Sequence, residues 1–150
     1  MDFPDFNELT EEAIQFHAEE IDFELPNSDA IIHWVKATIA AEGYQLNRLN
    51  FIFCNDTYLH QINLTFLDHD TLTDIITFPY HHKGEAIESD LYISIDRIRE
   101  NAAKFEVSFL TELKRVIIHG VLHLCGYGDK TKQEKQIMRA RENFYLTNNQ

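Results

Sequence analysis

Apolar and polar positions along the chain change period several times, and each change marks an element. Residues 13–18 read as a strand, and residues 29–42 as a helix capped by Ser28 and ended by Gly43. Residues 49–54, with Phe51, Ile52 and Phe53, form the next predicted strand. A short helix over 57–66 follows, placing Leu59, Ile62 and Phe66 on one face. The loop 67–73 leads into a strand at 74–78 that Pro79 brings to an end. His81, His82, Lys83, Gly84 and Glu85 make a polar, hairpin-like connection to a strand at 90–95. Helices then dominate: 97–105, 109–124, and a charged one from about 131 to 146. In the second of these, Leu110, Leu113, Ile117, Val121 and Leu124 recur at helical spacing and form a core-facing arc. The pattern predicts one α+β domain over residues 1–150, with a mixed sheet of about four strands packed by helices. It contains no internal repeat and no low-complexity segment.

Composition narrows the class. A chain of 150 residues, 44% hydrophobic and 12% aromatic, is long enough to bury a core of its own. Its formal net charge is −12, from 13 Lys and Arg against 25 Asp and Glu. That balance argues against broad electrostatic binding to nucleic acid, so any such contact must be local. Cys54 and Cys125 do not make a disulfide framework and fit a reduced, cytoplasmic setting. The opening Met1-Asp2-Phe3-Pro4-Asp5 is acidic and has no long apolar run, so neither export nor membrane insertion is expected.

The chemistry concentrates in His119-Gly120-Val121-Leu122-His123-Leu124-Cys125-Gly126-Tyr127-Gly128-Asp129. Positions four apart on a helix lie about 40° from each other, so the two imidazoles can converge on one ion. They project away from the apolar arc, which sets them apart from histidines that fill a core. Gly126 and Gly128 stop the helix and let the chain turn back, bringing Asp129 within reach as a third ligand. Three protein donors with a fourth position open to water are the arrangement of a catalytic zinc. Cys125 lies about 200° round the helix from His123 and is expected to pack on the core. His81 and His82, adjacent on a polar loop, read as solvent-exposed, and His17, His33, His60 and His69 have no supporting partners in sequence.

The same stretch resembles the signature HGxLHLxGYDH of the YbeY family of ribosomal RNA maturation factors, matched by His119, Gly120, Leu122, His123, Leu124, Gly126 and Tyr127. A second signature, similar to PT(D/N)VLSFP, is found in Leu72-Thr73-Asp74-Ile75-Ile76-Thr77-Phe78-Pro79. A third, similar to GDIxIS, is found in Ser89-Asp90-Leu91-Tyr92-Ile93-Ser94. Order and spacing agree over nearly the whole chain. The resemblance implies the α+β architecture and a zinc-dependent, single-strand-specific endoribonuclease of late ribosome maturation. Its substrate would be precursor 16S ribosomal RNA near the 3′ end, and its partner the small ribosomal subunit with its associated proteins. Thr73 and Asp74 lie in the second motif and are expected to shape the cleft or cap the loop. Asp90 and Ser94 would line the cleft if their strand abuts the metal helix.

Two departures bear on the chemistry. Asp129 stands where the family pattern has its third metal-binding histidine, and Gly128 where it has aspartate. A carboxylate binds zinc at a similar distance, but it leaves the site less positive and widens the choice to other divalent ions. Upstream, Asn63-Leu64-Thr65-Phe66-Leu67 resembles NxxYR with Leu67 in place of an arginine that the family pattern associates with RNA. Lys83, Lys130, Arg97 and Arg99 are the candidate replacements. Two readings follow: a metal-dependent endoribonuclease, and a non-catalytic, metal-stabilised ribosome-assembly factor. A metalloprotease is disfavoured, because zincins carry a glutamate directly after the first histidine and this chain carries Gly120; Glu112, two turns earlier, is the substitute base to consider.

Overall fold

The structure, a computed structural model, describes residues 13–69 and 71–147. The acidic opening of the chain, on which the expectation about export rests, lies outside the described residues. Strand β1 is Ile14–Ala18, followed by helix α1 (Ser28–Ala41), strand β2 (Leu46–Cys54) and helix α2 (Asp56–Leu67). Strands β3 (Ile75–Pro79) and β4 (Ile87–Ser94) come next, then helices α3 (Ile95–Phe105), α4 (Phe109–Leu124) and α5 (Lys132–Thr147). The strands lie in the order β1-β2-β4-β3, with β1, β2 and β4 parallel and β3 antiparallel to β4. This is the mixed four-stranded sheet that the alternating elements predict. Among the described residues no helix is long and apolar enough to cross a membrane.

Period-two alternation sends β2 and β4 side chains to two different layers. Leu49, Phe51 and Phe53 of β2, with Leu91 and Ile93 of β4, enter the main core with Trp34 and Val35 of α1 and much of α4. Cys54 and Ile76 face the other way, where Leu59 of α2 closes a smaller cluster bordered by Tyr58, Ile62, Phe78 and Tyr92. The sheet is therefore covered by helices on both faces, and β3 is an edge strand between α2 and α4.

Several boundaries differ from expectation for identifiable reasons. Strand β4 starts at Ile87 rather than at 90, because Ile87 and Ser89 are buried while Glu88 and Asp90 on the opposite face give the stretch a turn-like composition. Ser28 is the first residue of α1 and not its cap. The chain enters that helix through Asn27 in the left-handed region, with φ 55°, and the Asn27 carbonyl accepts from Ile31 N–H at 3.1 Å. Gly43, with φ +87°, ends α1 as expected. Helix α4 buries far more than one arc: Val116, Ile118 and Leu122 are buried as well, since it packs between β3 and the helices α1, α3 and α5.

Gly120 marks the closest approach in that packing. A Cβ there would lie 2.6 Å from Ile75 Cδ1 and 3.0 Å from Leu91 Cδ2, so a larger residue would have to push these side-chain ends aside.

Candidate active site

The end of α2, the loop after it, the edge of β3 and the last turns of α4 enclose a cavity of about 290 Å³. His119 and His123 line it from α4, Asp129 from the turn, and Leu67 and Asn63 from α2. His69, Thr71 and Thr73 line it from the loop. The residues read from sequence as ligands thus reach one cavity, together with Thr73. Asp74 is not among the lining residues; it is half-buried, and its backbone carbonyl accepts from Ser94 N–H at 3.0 Å. Burial raises the Asp74 pKa, against the opposing pull of His119.

Each histidine is fixed through Nδ1. His119 Nδ1 lies 2.7 Å from Glu142 Oε2, and His123 Nδ1 lies 2.8 Å from the Tyr127 carbonyl oxygen. Both partners are acceptors, so both Nδ1 atoms carry the hydrogen and the neutral rings keep their lone pair on Nε2. The rings are almost parallel, with centroids 6.4 Å apart and planes inclined by 9°. His119 Nε2 is 3.3 Å from Asp129 Oδ2. Two ligands of one tetrahedral zinc, each at roughly 2.0–2.1 Å, keep about this separation. A lone pair and a carboxylate oxygen so close need a proton or a cation between them. As the side chains stand, no three His, Cys, Asp or Glu residues among those described are gathered into a complete metal-binding group. The donors thus fit a cation as a close His119–Asp129 pair, with His123 the neighbouring ring on the same wall.

Glu142 holds this arrangement and is only 4% exposed. Burial works against its charge, but His119 and Arg115 outweigh burial and the carboxyl titrates below the usual range. Arg115 donates to Glu142 Oε1 at 2.9 Å and to Asn143 Oδ1 at 3.0 Å. On His119, burial disfavours the charged ring, and Glu142, Asp129 and Asp74 together reverse this and raise its pKa. The sequence did carry a signal for Glu142: an acid on the stripe of α5 that buries Met138 and Tyr145. His69 and Thr71 had none, because a loop brings them in by tertiary packing alone. Asn63 shapes that loop by donating Nδ2 to the Thr71 carbonyl at 3.0 Å.

Other candidates fall elsewhere. Asp90 accepts from Asn50 and Tyr80 on the far face of the sheet, and Ser94 caps α3 while donating to Asp56 at 2.7 Å. His81 is tied to the Glu88 backbone. Arg97 pairs with Asp56, Arg99 lies over the Phe109 ring, and none of the described residues lining the cavity is Lys or Arg. Glu112 is 5% exposed and outside the lining, so it is not a base within reach. Cys54 and Cys125 are buried free thiols, and burial, with nearby carboxylates, pushes both up to about 12.

A family model described as "Endoribonuclease YbeY" matches residues 13–150. The chain belongs to the YbeY family. It is 48% identical to an Amoebophilus asiaticus protein named endoribonuclease YbeY over 136 residues, covering 91% of this chain and 92% of that one. It is 51% identical to the protein of that name from Flavobacterium psychrophilum over 127 residues, covering 85% and 90%. A Thermotoga maritima protein solved in solution shares the fold at TM-score 0.63 and 24% identity, covering 89% of this chain and 86% of that one. In this YbeY chain the first signature runs from the end of α4 into the turn, and the position of the pattern's arginine, Leu67, faces the cavity.

Proposed function

We propose that the chain is a zinc-dependent, single-strand-specific endoribonuclease of late ribosome maturation that processes the 3′ end of 16S ribosomal RNA in the cytoplasm. The metal would be held by His119, His123 and Asp129. The observation carrying this reading is the orientation of His119: Glu142 takes Nδ1–H, and Nε2 is left 3.3 Å from Asp129 Oδ2 on a cavity wall. The relatives' name, endoribonuclease, supports the substrate class.

A bound zinc ion would supply Lewis acidity toward a water or a phosphate oxygen. The protein's own part is positioning. Glu142 and the Tyr127 carbonyl fix the two rings in one tautomer, which directs the Nε2 lone pair, and not Nδ1, to a metal ion. Thr71 and Thr73, in the same lining, would bring hydroxyls to the ribose-phosphate. Leu67, also in the lining, cannot offset phosphate charge. Peptide hydrolysis is disfavoured, since a glutamate at 120 would have to occupy the space of Ile75.

Leu67 also supports a second reading, a metal-stabilised assembly factor that binds without cutting. Cleavage of single-stranded RNA by zinc-loaded protein separates the two. Cleavage should be lost in His119→Ala and enhanced in Leu67→Arg. Equal trace activity in wild type and His119→Ala would remove the enzyme and leave the assembly factor.

A further inference from the structure

Segment 130–147 holds five of the chain's 13 cations and two of its 25 acids. Both acids are turned inward or consumed locally. Glu134 accepts from the Lys130 and Thr131 backbone N–H groups at 3.0 and 3.1 Å, and Glu142 is buried against His119 and Arg115. At 100° per residue Lys132, Lys135 and Arg139 fall within a sector of about 60° on α5. All three are exposed, and with Gln136 and Asn143 they line a shallow groove on the helix surface. Among the described residues neither Lys132 nor Lys135 belongs to an ion pair. In a protein of net charge −12 this is a cationic face on which, among the described residues, only Arg139 has an acidic partner.

The face begins near the cavity along the chain and is joined to it through a buried carboxylate. Asp129 lines the cavity and Lys132 follows three residues later. Arg139 Nε lies 3.9 Å from Glu142 Oε1, whose other oxygen holds His119. The three cations span about 10 Å along α5 at 1.5 Å per residue. A flexible polyanion entering the cavity would run past them, and no Lys or Arg among the described residues inside the cavity competes for its charge.

We propose that the Lys132–Lys135–Arg139 face of α5 is the phosphate track of the single-stranded RNA, holding the strand outside the cavity while its scissile bond lies inside. Gln136 and Asn143 provide neutral hydrogen-bonding groups between the cations, suited to ribose and phosphate oxygens. The inference rests on the endoribonuclease reading for its choice of polyanion, but binding and cutting are separable.

The test is fluorescence anisotropy with a labelled, cleavage-resistant single-stranded oligonucleotide, over a salt series. Wild type is compared with Lys132→Gln/Lys135→Gln and, as a charge-matched control, Lys36→Gln/Lys104→Gln, both exposed and outside the cavity lining. The α5 pair should weaken binding about tenfold and lower the salt slope by about 1.4, at roughly 0.7 per lost phosphate contact on a single strand. The control should leave both unchanged, and circular dichroism should show both variants folded. An α5 pair that binds like wild type overturns the track even if wild type cleaves RNA. Polyglutamate competing as well as RNA overturns the assignment to nucleic acid. Loss of binding in the α5 pair, in a protein that cuts nothing, leaves the track standing and removes the nuclease reading.

Discussion

Glu142 is the residue on which the site turns, because it selects the nitrogen that His119 presents to the cavity. Removing a carboxylate of this kind lowers metal affinity by about 10- to 100-fold in comparable sites. Glu142→Ala is therefore expected to weaken zinc binding by that factor in a competition titration, with Arg115 left as an unpaired, partly buried cation. Gly120 carries a different constraint. Gly120→Ala introduces a Cβ 2.6 Å from Ile75, an overpacking expected to cost about 1–3 kcal/mol in urea unfolding, with no change of ligand chemistry. That His119, His123 and Asp129 reach one cavity was legible from spacing, since helix geometry and a glycine turn are local properties. Of Glu142 only its place on the buried stripe of α5 was, and of His69 and Thr71 nothing, because their approach depends on how α5 and the loop after α2 pack.

At the scale of elements, α5 starts with a reciprocal cap. Thr131 Oγ1 accepts from Glu134 N–H at 3.0 Å, and the Glu134 carboxylate accepts in return from Thr131 and Lys130. A Cβ at Gly128 would lie 2.8 Å from that carboxylate, so glycine in the turn and glutamate in the cap are one packing solution. Thr131→Ala is expected to cost about 1 kcal/mol in chemical denaturation. It should also loosen Asp129, which lies in the turn directly before the cap, and so weaken zinc binding. The start of α5 was readable within a residue, because capping chemistry is written locally. The burial of α4 on nearly every side was not, since sequence periodicity marked only its most apolar arc.

For the whole molecule, the placement of buried carboxylates sets the response to pH. Burial opposes ionisation of Glu42, but Tyr145, Arg141 and Tyr127 donate to it and hold its pKa below the ordinary 4.5. It therefore stabilises the fold above about pH 4.5 and loses that contribution as the pH falls further. Glu112 has the opposite sign: burial, reinforced by Asp74, raises its pKa above 4.5. Its charge then costs stability at neutral pH and nothing once it is protonated in both states. Glu112→Gln should raise the unfolding midpoint at pH 7, a gain that disappears below about pH 4.5, whereas Glu42→Gln should lower it at pH 7. A net charge of −12 gives no hint of this division, because burial and partners decide which acids help. The mixed sheet and its helices were legible, since alternation and turn residues are spread along the chain, but the covering of both sheet faces emerged only from packing. The central claim is that one cation is shared by His119, His123 and Asp129. Equilibrium zinc titration of metal-free protein tests it most directly: one tight site per chain is predicted, lost in each of His119→Ala, His123→Ala and Asp129→Ala, and an Asp129→Ala protein that kept wild-type stoichiometry and affinity would contradict it.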